Sequence, residues 1–253
     1  FTPDTYERRW LKRKRTIDSL LRTSQENFVF TPQNEDAIIF LLSSELQKVC
    51  AKFFRNLKVE MTALGIFRRF FLRKSLIEAN PTTVMKASML LAAKLENFAF
   101  EHDDHFYSLL KKLNITAKEF VKMELRVLEG LDYCIEFFET AQLFEYLIGV
   151  LNFKGISELY KENILNFLRR LLCTRYYFLE NPTLLVLVAI SRFSDVETDN
   201  LLFTFNTNLS SVKDKVDSLF QKDDKDIFPT NVELTEGKEK FEKLKALSLN
   251  QRR

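Results

Sequence analysis

Asn80 to Leu95 reads NPTTVMKASMLLAAKL, and a close echo follows 101 residues later, where Asn181 to Phe193 reads NPTLLVLVAISRF. In both copies an asparagine stands where a side-chain oxygen caps a helix, and a proline takes the first helical position, where its missing N–H has no partner to lose. The same offset lays Phe67-Arg68-Arg69-Phe70-Phe71 on Leu168-Arg169-Arg170-Leu171-Leu172 without a gap. Both segments matching in one register points to a duplicated half. The helix after each proline, Pro81 to Leu95 and Pro182 to Phe193, is apolar nearly all round, so it must be surrounded by other helices. Ala87, Ser88, Ala92 and Ala93 are small enough to let neighbours close in. Each half is therefore expected to be a bundle of about five helices wrapped around one central helix.

Composition supports an all-α chain. Of 253 residues only five are glycine and five proline, alternating β-branched runs between turn residues are missing, and the 46% hydrophobic content fills two cores. Periodicity places the first set of helices near Glu35–Arg55, Val59–Leu72, Pro81–Leu95, Asp104–Leu113 and Ala117–Leu131. The second set falls near Ala141–Leu151, Glu158–Tyr176, Pro182–Phe193, Asp199–Phe205 and Ser210–Gln221, with flanking helices near Thr5–Arg22 and Glu233–Leu249. The expected organisation is an N-terminal helix and linker (1–30), a first bundle (31–138), a second bundle (139–229) and a C-terminal helix (230–253).

Several function classes are disfavoured. No apolar run reaches the length of a bilayer span, and the opening FTPDTYERRWLKRKR lacks the apolar middle of a signal peptide, so an intracellular protein is expected with no membrane partner. Cys50, Cys134 and Cys173 are odd in number and set in apolar surroundings, which suits buried thiols better than disulfides or zinc. Gly-rich phosphate loops and the GxSxG, CxxC and HExxH patterns are absent, so neither a catalytic residue nor a cofactor is expected. His102 and His105 in EHDDHF read as part of an acidic helix start, where aspartate favours the helix dipole, and no metal is expected there. The six basic residues between Arg8 and Arg15 read as the wet side of an N-terminal helix that packs Trp10, Ile17 and Leu21, or as a nuclear import signal or phosphate-binding arm.

Two charges break the pattern. At 100° per residue Lys94 falls in the arc of Ala87, Leu90, Leu91 and Phe98, and Glu124 takes the equivalent slot in Ala117, Phe120, Val121 and Leu128. A charge taken out of water needs a partner. Either these two satisfy each other inside the chain, or another molecule's backbone completes them at a groove edge.

The run FRRFFLRKSLIEANPTTVMKASMLLAAKLENF, followed by KMELRVLEGLDYCIEFF, resembles the cyclin box, and the duplicated all-α layout is that of a two-box cyclin. The family's hallmark lysine on the third helix and glutamate on the fifth fall on Lys94 and Glu124. Within the family the resemblance is to transcription-type cyclins, of the H kind first and the C kind second. It implies a regulatory subunit that is not itself an enzyme, binding a cyclin-dependent kinase around its αC helix and activating it allosterically. A RING-containing assembly factor as third subunit and a nuclear, also cytoplasmic, location are implied too. Carried over residue by residue, the kinase-binding surface consists of Leu91, Lys94 and Leu95 on the third helix and Glu124, Leu128, Tyr133 and Ile135 on the fifth and its exit. Tyr6 and Trp10 are either a further kinase contact or a staple of the N-terminal helix to the first box, and Leu91, Leu95 and Leu128 serve either the groove or the internal core. Two departures stand out: Asn97 replaces a second acid common after Lys-x-Glu, and IIFLLSSEL lacks the Arg and Trp of a substrate-docking patch.

The same architecture admits other readings. A DNA-binding core of the transcription factor IIB type also has two cyclin-like repeats, but needs a basic second repeat. Glu197 to Asp226 holds four lysines against seven acids, a net −3, so direct nucleic-acid binding is not expected. A helical adaptor with no kinase partner differs only in what Lys94 and Glu124 do.

Overall fold

The computed structural model describes residues 24–25, 28–29, 32–74, 76, 78–98, 103–135, 140–152, 158–193, 218 and 227–250. Within these the chain forms helices α1 (Pro32–Phe53), α2 (Leu57–Arg73), α3 (Pro81–Leu95), α4 (Asp103–Lys112) and α5 (Ala117–Gly130). Then come α6 (Thr140–Asn152), α7 (Glu158–Leu172), the single turn α8 (Tyr176–Leu179), α9 (Pro182–Ser191) and α10 (Asn231–Asn250). The expected all-α architecture holds, with one small exception. Strands β1 (Ser24–Gln25) and β2 (Phe28–Val29) pair antiparallel, Ser24 opposite Val29 and Gln25 opposite Phe28. The expected helices at Thr5–Arg22, Asp199–Phe205 and Ser210–Gln221 lie outside the described residues.

The described residues fall into two compact units, one of Arg15–Phe137 with Asn231–Arg253 and one of Phe138–Thr230. In the first unit α2 is covered on every face from Val59 to Leu72. That differs from the sequence expectation, which gave the central position to α3 alone because α3 is apolar nearly all round. α2 is equally enclosed although it brings Glu60, Arg68 and Arg69 inside with it. None of the three lacks a partner, which is how a charged side chain can be enclosed at all.

Local chemistry sets the boundaries. Arg55 takes a left-handed conformation (φ 48°) between α1 and α2, and the Asn56 side chain then accepts from the N–H groups of Lys58 (2.9 Å) and Val59 (3.2 Å). Asn80 accepts from Thr82 N–H at 3.0 Å and Asn181 from Thr183 N–H at 2.8 Å, each ahead of a proline, as the repeated NPT requires. In α3 the enclosed Ser88 hydroxyl donates to the Val84 carbonyl at 2.8 Å and so needs nothing from a neighbour.

In the second unit α9 is buried from Leu184 to Ile190 against α6 and α7. The expected helix Glu158–Tyr176 stops at Leu172 and resumes as α8 after a short break. Phe167 makes edge contacts with Phe193 and Phe228, and the Arg170 guanidinium lies 4.0 Å over the Phe228 ring. The repeat is not chemically equal. Arg68 and Arg69 are buried, whereas Arg170 is on the surface and Arg169 half-buried.

α10 packs on α1 within the first unit. A side chain at Gly237 would meet Ile38 Cγ1 at 3.3 Å, Ala37 Cβ at 3.4 Å and the Asn34 carbonyl at 3.4 Å, so glycine sets the crossing distance there. Lys240 donates to the Asn34 side-chain oxygen, and the Asn34 amide donates to Glu236 at 3.4 Å.

Candidate functional site

α5 starts at a capping box. Glu119 N–H donates to the Thr116 hydroxyl at 3.2 Å, and the Glu119 carboxylate accepts from Thr116 N–H at 2.9 Å and from its hydroxyl at 2.8 Å. The backbone N–H bond, then the hydroxyl bond, hold the Glu119 carboxyl below its ordinary range. The other end of α5 is fixed by α2, because Gly130 passes so close to the Phe70 ring that a Cβ would stand 2.5 Å from two of its carbons.

Between these ends α5 carries two apolar arcs. Phe120, Val127 and Leu131 face inward and are buried. Val121 (61% exposed) and Leu125 (49%) face out, with half-buried Leu128 beside them. This corrects the single stripe Ala117, Phe120, Val121, Glu124, Leu128 expected from sequence. The inward arc is rotated toward Val127 and Leu131, which leaves Ala117 and Val121 on the surface and Glu124 on the border between the arcs.

Glu124 and Lys94 meet there. The Lys94 ammonium donates to Glu124 Oε1 at 2.7 Å, with the lysine side chain 44% and the glutamate side chain 14% exposed. The two charges thus satisfy each other within the chain, at the surface and not within the core. Lys94 lies in the last turn of α3, where that helix emerges from the bundle, and its ammonium stands 5.9 Å from the centroid of Phe120. Phe120 is backed by Phe106 at 5.3 Å in an edge contact. Among the described residues Glu124 Oε1 is the only hydrogen-bond partner of the Lys94 ammonium, so N–H capacity remains toward solvent.

α3 ends in a Schellman turn: Asn97, left-handed at φ 52°, donates to Lys94 O, and Phe98 N–H donates to Ala93 O at 2.9 Å. The Thr62 hydroxyl of α2 donates to the Glu96 carboxylate at 2.5 Å and anchors this turn. α5 ends likewise, with Asp132 N–H donating to Glu129 O at 3.0 Å and Tyr133 N–H to Leu128 O at 2.8 Å.

Of the residues singled out from sequence, Lys94, Glu124, Leu95, Leu128, Tyr133 and Ile135 all reach the surface in part or whole, Tyr133 at 60%. Leu91 does not; it is buried in the α3 core face. Tyr6 and Trp10 lie outside the described residues. The outward pair Val121 and Leu125 was missed. Its signal was present, since Val121, Leu125 and Leu128 at spacings of four and three form an arc distinct from Phe120, Val127 and Leu131. No metal-binding group of three His, Cys, Asp or Glu side chains occurs among the described residues, and no helix there is long and apolar enough to cross a membrane.

Comparison with known proteins places these residues in context. Residues 13–136 match the family Cyclin, N-terminal domain. The chain is similar to Cyclin CCL1 of Saccharomyces cerevisiae, 27% identical over 105 residues that cover 42% of this chain and 26% of that protein. It is also similar to Cyclin-C1-1 of Arabidopsis thaliana, 27% identical over 135 residues, 51% of this chain and 48% of the relative. The chain thus spans between about a quarter and a half of the length of these relatives. In fold it is similar to a chain in the solved yeast TFIIK (Kin28/Ccl1/Tfb3) complex, with a TM-score of 0.66 and 18% identity over 85% of this chain and 96% of that one.

Proposed function

We propose that this chain, whose residues 13–136 match the Cyclin, N-terminal domain family, is a regulatory cyclin subunit that binds a cyclin-dependent kinase and activates it without contributing a catalytic residue. The observation that carries the reading is the surface pair Lys94–Glu124, flanked by exposed apolar side chains. A stable fold gains little from an ion pair in that setting. A docking site gains a register mark, because the spare N–H groups of Lys94 donate to carbonyls of an incoming segment while Glu124 accepts from its N–H groups. Leu95, Leu128, Tyr133 and Ile135 supply the apolar contact around it.

The segment received is the one that holds the kinase's regulatory αC helix. An active kinase needs the glutamate of that helix paired with its strand lysine, so a surface that binds only the inward position shifts the population toward activity. The relatives named for cyclin C and for the TFIIK complex favour a transcription-type cyclin working in the nucleus, and the three-protein composition of that solved complex favours a third, assembly subunit.

The test is phosphotransfer by a purified cyclin-dependent kinase, with yeast Kin28 as the probe. Adding the chain should raise activity, and Lys94→Glu should abolish the rise while leaving the circular dichroism spectrum unchanged. Equal stimulation by wild type and Lys94→Glu would refute the reading.

A further inference from the structure

The turn after α5 has an uncommon backbone. Asp132 (φ 49°) and Tyr133 (φ 55°) are both left-handed, one after the other. The comparable turns at Asn97 and Asn114 have one left-handed residue each, an asparagine, with ordinary residues after it. Asparagine and aspartate tolerate that region; for a bulky residue such as tyrosine it is an outlier. Core burial does not account for it, since the Tyr133 side chain points largely into solvent.

Something must hold this turn, and the restraints come from α2. Leu131 and Cys134, on either side, are buried, so the chain runs in, out, out and in over four residues. Phe70 receives Gly130 just before the turn, and one helical turn along α2 the Arg73 guanidinium pairs with the Asp132 carboxylate. That pair is itself exposed and adds little to folding. What the pair does is tie Asp132, one of the two outward residues of the turn and the neighbour of Tyr133, to α2.

We propose that Arg73 is a positioning residue for the docking face: through Asp132 it holds the doubly left-handed turn that presents the Tyr133 ring to the partner. This rests on the kinase-docking reading given above. Outliers of this kind persist only where the surroundings enforce them, and they concentrate at binding sites.

The test uses the full chain and four variants: Arg73→Met, Asp132→Gly, the double variant, and Tyr133→Ala. Glycine adopts the left-handed conformation at position 132 without support, so the double variant keeps the first of the two left-handed positions, the one that leads into Tyr133, while lacking the ion pair. In the free chain, exchange of the Tyr133 N–H, which donates to Leu128 O, should quicken in Arg73→Met by roughly two- to fivefold, the change matching one exposed ion pair. Amides in the middle of α2 should be unaffected, and the double variant should return to the wild-type rate. Affinity for Kin28 should follow the same order, weakened in Arg73→Met, restored in the double variant, and weakest in Tyr133→Ala. Unchanged exchange in Arg73→Met, or failure of the glycine to restore binding, overturns the positioning role. If exchange responds as expected but the wild-type chain does not bind, or Tyr133→Ala binds as well as wild type, the docking reading falls and with it the purpose assigned to the turn.

Discussion

Truncating Lys94 and Glu124 singly and together separates a structural ion pair from a docking pair, because one reading places the larger loss in folding stability and the other in affinity. In the free chain the lysine end is 44% exposed, so the pair interacts in a high effective dielectric and should contribute about 0.2–1 kcal/mol to folding. The two truncations are not equivalent. Glu124→Ala leaves an ammonium well placed to be hydrated and should cost about 0.5 kcal/mol. Lys94→Ala strands a carboxylate that is only 14% exposed, and the lost charged hydrogen bond raises the cost to about 1.5 kcal/mol. Across an interface, removing one member of a desolvated charged contact costs about 2–5 kcal/mol, roughly a 30- to 4,000-fold loss in affinity. Urea unfolding of the three variants gives the first quantity and a binding titration with Kin28 the second. A folding cost above about 3 kcal/mol for either single variant, with affinity reduced less than about tenfold, would refute the docking assignment and make the pair a structural one.

Gly130→Ala sets a gain in helix propensity of about 1 kcal/mol against a Cβ placed 2.5 Å from the Phe70 ring, whose overpacking costs about 1–3 kcal/mol; we expect a net loss of about 1 kcal/mol and a melting temperature lower by about 2–4 °C, recovered when Phe70→Leu is added. The Glu119 carboxyl is held below its ordinary value of 4.5, so the stability it contributes is complete above that pH and is lost as the pH falls through the lower folded-state value. Urea midpoints of wild type and Glu119→Gln should therefore converge on acidification below pH 4.5 and keep a constant difference above it. Burial, with the Glu60 charge adding to it, pushes the Cys50 thiol far up, and Cys134 and Cys173 are buried as well. All three should resist iodoacetamide in the native chain and react together as it unfolds; fast labelling of any one at neutral pH contradicts this.

The features legible in the sequence are those encoded locally. The two NPT caps, the apolar helices that follow them and the span of α3 required only short-range rules, and the structure has them where expected. Lys94 and Glu124 were conspicuous because each interrupts an apolar arc of its own helix. How far each would be covered was not legible, since that depends on where α3 leaves the bundle and how α5 is rolled against α2. The roll is set by Gly130 against Phe70, a contact between residues 60 positions apart. For the same reason Val121, placed in the core face, is exposed, and Leu91, which the sequence left between groove and internal core, is buried. The enclosure of Glu60, Arg68 and Arg69 ran against composition, because charged residues signal exposure unless long-range partners are known.

The seating of α10 on α1 also has a temporal consequence. A ribosome releases Ala37 and Ile38 early, yet the glycine-centred surface that covers them arrives only after the whole of Phe138–Thr230 has been made. At about 5–20 residues per second the roughly 200 residues from Ile38 to Gly237 take about 10–40 s, during which an apolar strip of the nascent bundle stays uncovered. Chaperone recruitment during synthesis should therefore peak over that strip and end abruptly when α10 emerges, which makes α10 a timer for completion of the first unit.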